Sequence, residues 1–69
     1  LGHQRTTTPM KTPTAADMKK GAIIQHPVYG DFTVTGCTTY DESTWWDVSS
    51  SRGATTVGEN ELHFYTLKP

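Results

Sequence analysis

The stretch from Gly21 to Val34, Gly-Ala-Ile-Ile-Gln-His-Pro-Val-Tyr-Gly-Asp-Phe-Thr-Val, constrains the fold more than any other part of the chain. Ala22 and Ile24 fall on one face of an extended segment and Ile23 and Gln25 on the other, and Phe32 and Val34 resume the alternation beyond the corner. Proline fixes one dihedral there and glycine permits a positive one, which is the chemistry of a sharp reversal. Two short strands folded into a bent ribbon are expected.

Further strands of the same kind follow. Phe32 to Thr39 continues as a longer strand that Gly36 is expected to break where it bends, and Cys37 is expected to pack as a small apolar residue. After the polar loop Tyr40 to Ser43, Trp46 and Val48 share one face and Trp45 and Asp47 the other. Because Asp47 belongs in water, Trp46 is assigned to the core and Trp45 to the surface. Ser49 to Gly53 reads as a loop, Ala54 to Val57 as a strand, and Gly58 to Glu61 as a polar turn. A last strand, Leu62 to Leu67, then turns Leu62 and Phe64 to one face. Upstream, Thr14 to Gly21 reads as a single helical turn capped by Thr14, too short to stand unless Met18 folds onto the strands. The sum is an all-β domain, a five-stranded antiparallel barrel preceded by one short helical turn. Its expected interior is Ile24, Phe32, Val34, Trp46, Val48, Val57 and Leu62.

A chain of 69 residues has room for one such domain, placed at residues 14–69, and for no deep catalytic cleft. Leu1 to Pro13 shows no hydrophobic period and reads as a flexible, disordered tail, with Met10 as a natural start and residues 1–9 as an upstream or added segment. The single cysteine leaves no disulfide framework and too few thiolates for a structural zinc, and it favours a reducing, cytoplasmic setting. No apolar run is long enough to span a membrane. Thr14 to Pro69 carries Lys19, Lys20, Arg52 and Lys68 against seven acids, a balance that disfavours a general nucleic-acid binder.

The pattern Gly21-x-x-Ile24-x-His26-Pro27-x-Tyr29-Gly30-x-Phe32-x-Val34, followed by Trp46-x-Val48, Gly53, Val57 and Glu61-Leu62, resembles a known family. It is similar to the SH3-like, Tudor-type barrels at the C-terminus of UvrD-type repair helicases and to the RNA-polymerase-binding domain of CarD-like regulators. The resemblance covers about Lys20 to Leu67, and the His-Pro-x-aromatic-Gly corner is its most distinctive part. It implies a bacterial or phage interaction domain in transcription or DNA repair. The chain departs from the pattern in carrying Phe32 where those domains often have a second Gly, and in lacking their basic character.

An outward tryptophan on so small a domain points either to a covering partner or to the N-terminal turn or tail packed over it. Trp45, with Ile23, Tyr29, Tyr40, Tyr65 and Arg52, forms the candidate binding set. His26, before Pro27 in a tight corner, is read as structural, its ring hydrogen-bonded to nearby backbone. Asp41, Glu42 and Asp47 are read as solvated loop charges. Cys37 with His26 lacks an oxyanion hole, and no Gly-rich phosphate loop occurs. The Val-Gln-Ile-Tyr signature of the type II dihydrofolate reductases, which assemble from SH3-like barrels, has no counterpart. The chain is therefore expected to be a monomeric, non-enzymatic module without metal or cofactor that binds a protein partner, with a nucleic-acid-binding barrel as the alternative.

Overall fold

Alternation in the sequence becomes alternation in space. The structure, a computed structural model, describes residues 11–68, so the expected tail at residues 1–10 lies outside the described residues. Five strands form one antiparallel sheet: β1 (Ile23–His26), β2 (Gly30–Tyr40), β3 (Ser43–Ser50), β4 (Gly53–Gly58) and β5 (Thr66–Leu67). Their spatial order is β4-β3-β2-β1-β5, a meander whose last strand returns to lie beside the first. Short 3-10 turns at Ala15–Asp17 and Glu59–Phe64 complete the described elements.

All seven residues expected inside are buried, and Met18 joins them at 5% exposure. The register explains how they meet. Ile24 pairs with Phe32, Val34 with Val48, and Trp46 with Val57, and cross-strand partners share a face. Between Val34 and Gly36 the β2–β3 register shifts by one residue, so the strand bends through a bulge and continues to Tyr40 instead of breaking at Gly36.

Four expectations need correction. The sheet is not a closed barrel: among the described residues β4 pairs with β3 alone, and no ladder joins β4 to β5. The segment read as a last strand from Leu62 is mostly a 3-10 turn, because the Glu61 carboxylate reaches back to accept the Gly58 N–H at 2.9 Å and coils the chain. Leu62 still reaches the core from that turn, whereas Phe64 is left 55% exposed. Cys37 is exposed on the part of β2 beyond the residues that pair with β1, although its β3 partner Trp46 is buried. Finally, Lys11 to Pro13, assigned to the tail, is docked. Lys11 bridges Leu67, its carbonyl accepting the Leu67 N–H at 2.7 Å, and Pro13 is fully buried.

The expected helical turn is present as a 3-10 turn held by Asp17, whose carboxylate accepts the Thr14 N–H at 2.9 Å and the Thr14 hydroxyl at 3.0 Å. Lys11 stands 3.5 Å from the same oxygen. On the opposite side of β5, Lys68 donates to Asp31 at 2.7 Å and its backbone N–H bonds Ile23. These contacts lower both carboxyl pKa values below the ordinary aspartate value of 3.8. The hydrogen bond from the Thr14 backbone leads at Asp17, and that from Lys68 leads at Asp31.

Because the folded values lie below the unfolded ones, the stabilisation is complete above the ordinary aspartate range and is lost as the pH falls through the lowered values. Thermal melts between pH 7 and pH 2, taken as roughly spanning that range, should show stability declining on the acid side. The double variant Asp17→Asn, Asp31→Asn should flatten that decline; an unchanged acid limb would contradict the assignment.

Candidate functional site

The β1–β2 corner is built on one imidazole. His26 Nδ1 accepts the N–H of Val28 at 3.0 Å and that of Tyr29 at 3.3 Å, which places the ring proton on Nε2. The chain reverses over Pro27 to Tyr29 and re-enters the sheet at Gly30, whose φ of +86° suits a residue without Cβ. The structural reading of His26 thus matches its contacts. The same ring also organises an aromatic group: its centroid lies 4.6 Å from Tyr29 and 5.3 Å from Tyr65, and Tyr65 lies 5.9 Å from Phe32.

Beside this group runs a groove of about 600 Å³. Its walls are the β1–β2 corner, with His26 and Val28, and the end of the second 3-10 turn, with His63, Phe64 and Tyr65; Thr12 and Thr66 lie along its length. Val28 is 74% exposed and Tyr29 54%, so with Phe64 they present apolar surface around it. No residue lining it carries a carboxylate, ammonium or guanidinium. Burial raises the Tyr65 pKa, with smaller contributions from the Glu61 charge and Tyr29, so its hydroxyl remains a protonated donor at neutral pH.

Of the six residues proposed for binding, Tyr29 and Tyr65 meet at His26. Trp45 does not sit openly on the surface as expected. It is half-buried, because its strand partner is Gly58 and its six-membered ring lies on that residue. A Cβ built on Gly58 would stand 2.8 Å from Trp45 Cζ3, so the glycine is required by the indole, its own φ of −88° being ordinary. Trp45 lines a separate notch with Ser43, Thr44, Glu59 and Asn60, and Tyr40, 74% exposed, pairs with Ser43 at the same hairpin end.

Ile23 and Arg52 join neither group. Ile23 aligns through Thr33 with Ser49, four residues or about 13 Å along β3 from Trp45. Arg52 occupies the opposite tip, in the β3–β4 turn closed by Ser50 and Gly53. The groove residues missed in the sequence include Thr12, Gln25, Val28, His63, Phe64 and Thr66; for His63 and Phe64 the available signal was Gly58 followed three residues later by Glu61, a helical-turn start.

Among the described residues no group of three or more His, Cys, Asp or Glu could hold a metal ion, and no helix is long and apolar enough to cross a membrane. Comparison with family models, with curated proteins and with solved structures finds no match in any of the three.

Substitutions at His26 and Gly58 test the local geometry. His26→Ala removes the acceptor of two backbone N–H groups and should cost about 1 kcal/mol in chemical denaturation. His26→Asn supplies an oxygen at the equivalent position and should restore most of that loss. Gly58→Ala should cost about 1–3 kcal/mol by driving the indole off the strand. In a Trp45→Ala background the same change should be close to neutral, and additive effects would refute the contact.

Proposed function

We propose that this protein is a non-enzymatic interaction module whose aromatic groove binds an extended, uncharged segment of a protein partner. The observation that carries the reading is the combination of exposed Val28, Tyr29 and Phe64 with a groove lined by no formal charge. Apolar surface of that kind favours aliphatic or prolyl side chains, while Gln25, Thr12 and the Tyr65 hydroxyl offer hydrogen bonds to a partner backbone.

The strand order, with a 3-10 turn between β4 and β5, supports the SH3-like reading. The resemblance to helicase C-terminal and polymerase-binding domains supports a place in transcription or DNA repair, and hence a bacterial or phage cytoplasm. A nucleic-acid partner is disfavoured by the placement of the cations. Lys11 and Lys68 are engaged with Asp17 and Asp31, Lys19 and Lys20 follow the first 3-10 turn, and Arg52 stands alone at a hairpin tip. Among the described residues no stripe of positive charge is laid out to track a phosphate backbone.

Selection of dodecapeptides from a random displayed library tests this. Uncharged sequences with proline or aliphatic anchors should be enriched, and Phe64→Ala should weaken them about tenfold, as loss of a central aromatic contact does. Selected peptides that ignore Phe64→Ala and Val28→Ser would remove the groove from consideration. Steeply salt-dependent retardation of single-stranded DNA would favour the alternative.

A further inference from the structure

The notch beside Trp45 has a chemistry opposite to that of the groove. Its volume is about 260 Å³, and it lies where the start of β3 meets the start of the second 3-10 turn. Trp45 lines it as an indole held on Gly58, and the other lining residues, Glu59, Asn60, Ser43 and Thr44, all carry side-chain oxygens. Asp41 and Glu42, which form the tight β2–β3 turn at φ of 54° and 63°, immediately precede Ser43 and add two carboxylates to this end of the sheet.

No cation of the described chain answers them. The two ion pairs are Lys11 with Asp17 and Lys68 with Asp31. Arg52 lies at the other end of β3, and Lys19 and Lys20 precede Gly21, whose N–H bonds Val34. Glu59 therefore lines the notch beside Trp45, exposed and without an ion-pair partner among the described residues.

We infer that the Trp45–Glu59 notch binds an arginine side chain carried by a protein partner. A cation over an indole is attracted by the ring quadrupole, and a planar guanidinium can also fork onto a carboxylate and donate to the neighbouring amide and hydroxyl oxygens. Lysine offers a compact point charge that can neither stack on the indole as a plane nor fork onto a carboxylate. A phosphate backbone is repelled by the same carboxylates. The inference rests on the reading above only in taking a protein as the partner, and it uses a different surface.

The test is an NMR titration of the ¹⁵N-labelled protein with acetyl-arginine amide, acetyl-citrulline amide and acetyl-lysine amide. Arginine amide should shift the Trp45 indole N–H and the Glu59 and Asn60 amides in a saturable way that weakens with added salt. Citrulline, uncharged but of nearly the same shape, should bind about tenfold more weakly, as should arginine amide to Glu59→Gln. Trp45→Leu should abolish the shifts. Glu59 is exposed, so the glutamine variant keeps the test valid if loss of the indole disturbs folding. Phe64→Ala should bind arginine amide normally, which separates this site from the groove. Equal binding of citrulline, full binding by Glu59→Gln or shifts centred on Tyr65 would overturn the assignment, and equal binding of lysine would overturn the choice of guanidinium.

Discussion

The packing of Trp46 against Val57 and Val48 against Val34 is the constraint on which the rest of the molecule depends. These pairs lie across β2, β3 and β4, and all four residues are almost completely withdrawn from water. A domain this small has one layer of apolar side chains to bury, so the register that puts Trp46 inside also decides what lies outside. A slip of one residue in β3 would bring Asp47 inward. The burial of one indole and the lateral placement of the other therefore have a common cause.

Surface chemistry follows from that register in two different ways. At the β1–β2 corner the backbone itself demands an acceptor, and the imidazole of His26 supplies it while gathering Tyr29 and Tyr65. At the far hairpin end the outward indole finds a glycine opposite and lies down on it. One surface is neutral and aromatic; the other joins an aromatic ring to unbalanced negative charge. Under the proposals above, such a division would select for a partner with an apolar segment and a basic side chain.

Much of the interior was legible because strand alternation has a short period and local causes. Ile24, Phe32, Val34, Trp46, Val48, Val57 and Leu62 could be assigned inward from neighbours in sequence alone. Their meeting needed no knowledge of the loops. The surface was less legible because its features come from pairings distant in sequence. That Gly58 would face Trp45 depends on the β3–β4 register, and that Phe64 would line a groove depends on a 3-10 turn replacing the start of a strand. Phe64 has the composition of a core residue, and only the coiling set by Glu61 turns it outward. Cys37 was misplaced because it was assigned inward on its apolar chemistry, whereas it sits on the part of β2 that β1 does not reach.

The bridge between Lys11 and Leu67 bears on the order in which the molecule assembles. The β2–β3–β4 meander joins residues close in the chain and can form early, whereas closing β5 between β1 and Lys11 unites distant segments and waits on loop-closure entropy. Thr12, Tyr65 and Thr66 belong to that late closure, so the aromatic groove is completed last. Transient opening of β5 would dismantle the groove while leaving the central hairpins folded, making its shape sensitive to fluctuations far smaller than global unfolding.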